Sequence, residues 1–123
     1  MVKRAHKKLE VWQESVALAT CIYQITESFP KSELYGLTSQ MRRAVVSVPS
    51  NMAEGAARYS AKEFVQFLSI AGGSLSELDT QVEIAANLGY LTPQQKKGVD
   101  ERIDSISMKL AGLINKMRKQ NEK

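Results

Sequence analysis

The stretch Leu37–Arg58, LTSQMRRAVVSVPSNMAEGAAR, decides how this chain is read. Leu37, Met41, Ala44, Val45, Val48 and Met52 recur at helical spacing and define one apolar face. Pro49 lies inside that pattern. It lacks a backbone donor and its ring meets the carbonyl of Val45, a cost of about 3 kcal/mol in a helix interior. Either the helix continues with a kink, or it breaks and Pro49 opens a new turn. The apolar spacing runs on through Met52, so a kinked continuous helix is expected. A small-residue patch, Ala53 to Ala57 around Gly55, follows.

Working outward, three further helices are predicted, and no segment alternates with period two over a strand length. The first runs from about Leu9 to Ser28 and ends before Phe29-Pro30, because a residue preceding proline avoids the α region. Its large apolar side chains cover roughly half the circumference, wider than the ~100° that one core requires. Something besides the intrachain core is therefore expected to cover the excess. Gly36 and a cap at Thr38 or Ser39 should introduce the helix of Leu37. Ser60-Ala61-Lys62-Glu63 matches a capping box and announces the third helix, which carries Gly72-Gly73 in its middle. Each glycine weakens a helix by about 1 kcal/mol relative to alanine. Close approach of the small face formed by Ala44, Ser47, Ala53 and Gly55 is the expected reason for them. Gly89 stops this helix, and Thr92-Pro93 starts the fourth. Val99, Ile103, Ile106, Leu110, Leu113 and Met117 then form a narrow seam suited to shallow-angle packing. The expectation is an all-α, antiparallel up-down four-helix bundle, a single domain over 1–123 with basic, mobile tails at 1–8 and 119–123.

The net charge of +4 conceals an asymmetry. Lys3, Arg4, Lys7 and Lys8 stand at the start with no acid among residues 1–8, and Lys109, Lys116, Arg118, Lys119 and Lys123 face Glu122 alone over 105–123. Residues 9–104 hold eight basic and twelve acidic side chains, so basicity belongs to the ends. Those ends, with Arg42, Arg43, Arg58 and Lys62, are the candidate phosphate-binding residues; solvated charge that keeps the protein in solution is the plainer reading.

Catalysis finds little support. His6 is the only histidine, so neither a histidine-based catalytic pair nor a two-histidine metal site can be built, and Glu54, Glu77 and Glu83 lack the Glu-x-x-His pattern of di-metal bundles. Glu54 and Glu77 are expected to pair with Arg42 or Arg43 across helices, and Asn51 with Glu54 to satisfy backbone groups freed by Pro49. Cys21 reads as a small core or interface residue. Trp12, Tyr23, Phe64 and Phe67 fall on apolar stripes and read as core, not as base-stacking platforms. The single cysteine and the lack of an uninterrupted apolar run of about 20 residues point to a reducing cytoplasm, without signal peptide or membrane span.

A resemblance adds to this reading. Trp12, Phe29-Pro30, Tyr35-Gly36-Leu37, Gln40 to Ala44, Ser47-x-Pro49-Ser50-Asn51-x-Ala53-Glu54-Gly55, Arg58, Phe64, Phe67-Leu68, Gly73-Ser74, Glu77-Leu78 and Gly89-Tyr90-Leu91 stand in order along residues 9–118. The chain resembles the bacterial four-helix-bundle family named for the 23S rRNA intervening-sequence protein, related to the accessory protein of diversity-generating retroelements. That resemblance implies a homopentamer without catalytic activity or cofactor. Trp12, Tyr23, Pro49, Asn51, Glu54, Gly55, Gly73 and Glu77 would serve structure and assembly. It also implies binding of RNA or DNA through positive surface, and a reverse transcriptase or other protein as a possible partner. Gly72 and Ala56-Ala57 depart from the family's commonly bulkier side chains. A scaffold or adaptor that binds another protein, without nucleic acid, is the alternative function.

Overall fold

The computed structural model describes residues 4–121. Four helices form the bundle: α1 (Glu10–Thr26), α2 (Leu37–Ala56), α3 (Ala61–Asn87) and α4 (Pro93–Asn121). Short 3-10 turns at Ala5–Lys8 and Lys31–Glu33 flank α1. Side-chain pairings fix the directions. Ser15 lies against Met52 and Thr26 against Arg42, so α1 and α2 are antiparallel. Ser47 meets Ser74 while Gly55 meets Phe64 and Phe67, which makes α2 and α3 antiparallel. Glu83 pairs with Lys96 while Gly72 faces Leu110, and Glu14 bonds Ser105 while Glu10 bonds Lys109, so α4 runs against both α3 and α1.

Local chemistry explains the helix ends. No side chain of Thr38 or Ser39 caps α2, correcting that expectation. The carboxylate of Glu33 accepts from the Leu37 N–H at 3.2 Å instead. Gly36 makes this possible, since a Cβ there would stand 2.9 Å from Glu33 Oε1. Thr38 is free to be buried. Ser60 Oγ accepts from the Glu63 N–H at 3.1 Å as foreseen, but Glu63 turns back onto the Ser60 hydroxyl and not onto its amide. The reciprocal box forms at Thr92 and Gln95, whose side chains each accept the other's backbone N–H at 3.1 and 3.0 Å. Gly89, at φ 79°, closes α3, with the Tyr90 and Gly89 amides returning to Ala85 and Ala86.

α2 is continuous through Pro49, so the break is excluded. Asn51 donates to the Ser47 carbonyl at 2.8 Å and to its hydroxyl at 3.0 Å, and Ser47 shares a 2.8 Å bond with Ser74 of α3. A polar chain thus joins two helices one turn from the proline. Glu54 takes no part in it, contrary to expectation, because it pairs with Arg58.

The core follows the seam read from sequence: Leu18 and Ile22 of α1, Met41, Val45, Val48 and Met52 of α2, Leu68, Leu75, Leu78 and Val82 of α3, and Val99, Ile103, Ile106 and Leu110 of α4. Phe29, against Tyr90 at 5.3 Å between ring centroids, closes one end. Tyr23 is a correction: it lies outside this core at 44% exposure. Leu113 and Met117 are only partly buried. The first residue of α1 is already level with Lys109, and α4 runs on about three turns beyond it.

The glycine expectation is also corrected. The close approach occurs at Gly55, where a Cβ would fall 2.7 Å from Phe67 Cβ and 2.9 Å from Phe64 Cδ1. Gly72 would gain only an ordinary contact with Leu110, and a Cβ at Gly73 would meet open space. Opposite outcomes follow for one substitution. Gly55→Ala should cost about 2 kcal/mol by overpacking, whereas Gly73→Ala should gain about 0.5–1 kcal/mol from helix propensity. Denaturant unfolding of both variants beside the parent checks the sign of each.

Candidate nucleic-acid interface

Antiparallel connectivity decides where the basic residues gather. The turn before α1, the α2–α3 connection and the last turns of α4 all lie at one end of the bundle. Arg4, Lys7, Lys8, Arg58, Lys62, Lys116, Arg118 and Lys119 therefore share one end of the bundle although they come from three separated segments, the turn before α1 packing on α2 and not on α4. Lys3 falls outside the described residues. Arg42 and Arg43 belong to the opposite end, about 20 Å away at 1.5 Å per helical residue. The structure thus brings together eight of the ten described candidates and leaves those two apart.

The basic N-terminal stretch, expected as a tail, is anchored at Ala5–Lys8. Its carbonyl at Lys7 accepts from Gln13 Nε2 at 2.8 Å, and the His6 ring stands edge-on to half-buried Trp12 at 5.0 Å. In the last turn of α4, Arg118 and Lys119 stand where cations complement the partial negative charge of a helix C-terminus. Arg58 is held on both sides: its guanidinium pairs with Glu54 at 2.7 Å and lies over the Phe67 ring at 4.8 Å. The other seven have no carboxylate of the described residues within ion-pair distance.

Elsewhere three cations, Arg42, Lys96 and Lys109, are occupied, while Lys31, Arg43, Lys97 and Arg102 have no ion pair among the described residues. Arg42 does not reach Glu54 or Glu77. It lies over the Tyr23 ring at 4.7 Å, and donates to Thr26 Oγ1 at 2.9 Å and the Tyr23 carbonyl at 3.3 Å. Glu77 instead accepts from Gln81 Nε2 at 3.1 Å. Asp100 first, then Glu83, hold the Lys96 ammonium well above the usual lysine range. Glu10 and then Glu14 also raise the Lys109 ammonium. In return the bonds from Lys109 and then Ser105 draw the Glu14 carboxyl below the ordinary carboxylate range.

On the α1–α2 face, Val16, Ala19, Thr20, Tyr23, Val46 and Pro49 line an apolar groove of about 390 Å³. Val16 is 38% and Val46 40% exposed, so part of the excess apolar arc of α1 is uncovered by its own chain. Cys21 is half-buried against the core. Among the described residues no group of three or more His, Cys, Asp and Glu side chains is placed to hold a metal. No described helix is long and apolar enough to cross a membrane.

Sequence reasoning named the separate basic segments but not their meeting, which only the helix directions supply. Tyr59 was passed over, although its place beside Arg58 and Lys62 was visible.

Glu14 gives a pH-dependent expectation. Its folded-state value is lowered, so its contribution is fully present above the ordinary glutamate value of about 4.3 and is lost as pH falls from there through the lower folded value. Glu14→Gln should lower stability at neutral pH and flatten the acid limb of a stability-versus-pH curve, read by thermal unfolding at several pH values.

The family model described as 23S rRNA-intervening sequence protein matches residues 7–112, and the chain belongs to that family. No curated protein matches it. Among solved structures, a protein of unknown function of the S23 ribosomal protein family from Bacteroides thetaiotaomicron is similar to this chain. The TM-score is 0.79 at 21% identity, over 85% of this chain and 95% of that one. At that identity the likeness bears on the fold alone.

Proposed function

We propose that this member of the family is a non-enzymatic homo-oligomer, pentameric as the family resemblance implies, that binds RNA or DNA with low sequence specificity through the basic end of its bundle. The observation that carries this reading is the convergence of eight basic side chains from three segments, seven of them free of described acidic partners. The described acids at that end are Glu10, Glu54 and Glu63, of which Glu54 is tied to Arg58, Glu10 to Lys109, and Glu63 stands against the Ser60 hydroxyl. Such a surface attracts a polyanion and releases its counterions, with no base-edge contact to select sequence. The opposite end mixes Lys31, Arg42, Arg43, Lys96 and Lys97 with Glu27, Glu33, Glu83 and Asp100, so its charges nearly balance.

The exposed groove between α1 and α2 supports the assembly part of the proposal: a second copy would cover apolar surface that the chain leaves wet. The same groove is the observation that favours the second reading. A scaffold or adaptor would use it for another protein, a reverse transcriptase among the candidates, without nucleic acid.

Titration of a structured RNA over a salt series tests the first reading. With six or more phosphate contacts, affinity should fall by about a thousandfold between about 50 and 200 mM salt. Replacing Lys116, Arg118 and Lys119 by glutamine should reduce the slope of log K against log salt by about two to three, while Arg43→Gln leaves it unchanged. Absence of binding at the lowest salt would sink this reading and favour the adaptor. Val46→Asp places a charge in the groove and should convert the oligomer to single chains of 13.7 kDa in light scattering, without loss of helical circular dichroism.

A further inference from the structure

We infer that Tyr59 is a stacking platform for an unpaired nucleobase, so that the basic end takes single-stranded nucleic acid in preference to duplex. This inference rests on the nucleic-acid reading above and specifies its ligand.

Tyr59 sits in the α2–α3 connection with its side chain 95% exposed. The turn that carries it is fixed on both sides. The Arg58 N–H donates to the Gly55 carbonyl at 3.1 Å, and Ser60 Oγ accepts from the Glu63 N–H at 3.1 Å. Beneath it, Gly55 allows Phe64 and Phe67 to seat against α2. The ring is thus presented by a hydrogen-bonded turn, adds almost nothing to the core and has both faces open to a ligand. Lys62 follows three residues on, and the Arg58 guanidinium is engaged by Glu54 and the Phe67 ring.

Two chemistries meet at this end: cations without acidic partners among the described residues, which suit a phosphate backbone, and the exposed π-face of Tyr59. That pairing is how single strands are held without regard to sequence, because every base has a face to stack. A duplex offers the cations equally good phosphates, but its bases already stack on one another and leave the ring nothing to cover. Tyr35 is a built-in comparison. It is 93% exposed at the opposite end, where it lines a pocket with Arg43 alone of the uncommitted cations, since Arg42 is already engaged by Tyr23 and Thr26.

The test is a titration of a mixed-sequence single-stranded RNA, and of the same RNA annealed to its complement, with the full chain and with Tyr59→Ala, Tyr59→Phe and Tyr35→Ala. Tyr59→Ala should weaken single-strand binding by about tenfold, leave duplex binding and the salt slope unchanged, and keep the parent's circular dichroism. Tyr59→Phe, which retains the ring, should bind as the parent does, and Tyr35→Ala should have no effect. Equal affinity of parent and Tyr59→Ala for the single strand overturns the inference, as does an equal loss on duplex or a loss with Tyr35→Ala alone. In those cases a parent that still binds with a steep salt slope leaves the basic-end reading standing. A parent that binds neither RNA at low salt removes both.

Discussion

The structure depends on how closely α2 can approach α3. At Gly55 the distance leaves no room for even a methyl group, because Phe64 and Phe67 occupy the space. About two turns away along α2, the Asn51–Ser47–Ser74 chain fixes the same two helices in register. A glycine contact alone would allow sliding, and a polar chain alone would tolerate separation. Together they set distance and register, and α1 and α4 pack onto the pair. The polar chain also braces the turn that holds the proline, although the Val45 carbonyl that Pro49 leaves free is not among its acceptors. Pro49 withdraws one donor from a helix whose neighbouring turn is held by side chains, and the helix continues through it.

Charge separation in this molecule is a product of topology. In an up-down bundle both termini and the middle connection share an end, and the basic segments lie in those three places. Acidic side chains are concentrated in the helical body, where Glu10, Glu14, Glu83 and Asp100 neutralise Lys96 and Lys109. The result is a field with one direction along the bundle. Each ingredient is ordinary, and only the fold makes their sum asymmetric.

Much of this was legible in the sequence, for reasons that differ by element. The four helices were readable because spacing at Met41, Val45, Val48 and Met52, or at Val99, Ile103, Ile106 and Leu110, reports directly on which face is buried. The stop at Gly89 and the start at Thr92 were readable because their chemistry is local. Contacts between distant segments were not. Gly72-Gly73 and Gly55 carry the same letter, and nothing in the chain says which one faces a phenylalanine. The partners of Arg42, Glu54 and Glu77 were misassigned because a long charged side chain has several acceptors within reach. Arg42 found a hydroxyl, a carbonyl and a ring where a carboxylate was expected. The cap of α2 was missed because Glu33 lies before the helix in a 3-10 turn, outside the usual capping position.

α4 outlasts its neighbour by about three turns, and those turns carry Lys116, Arg118 and Lys119. With α1 gone from one flank, Leu113 and Met117 keep part of their surface in water, and this segment holds its shape on less contact than the rest of the bundle. Three cations within four residues also repel one another across a single turn. Thinner packing and like-charge repulsion both lower the cost of opening this segment relative to the rest of the bundle. An anion laid across it would relieve the repulsion and stiffen the helix in the same event, coupling the order of the C-terminal turns to occupancy of the end they form.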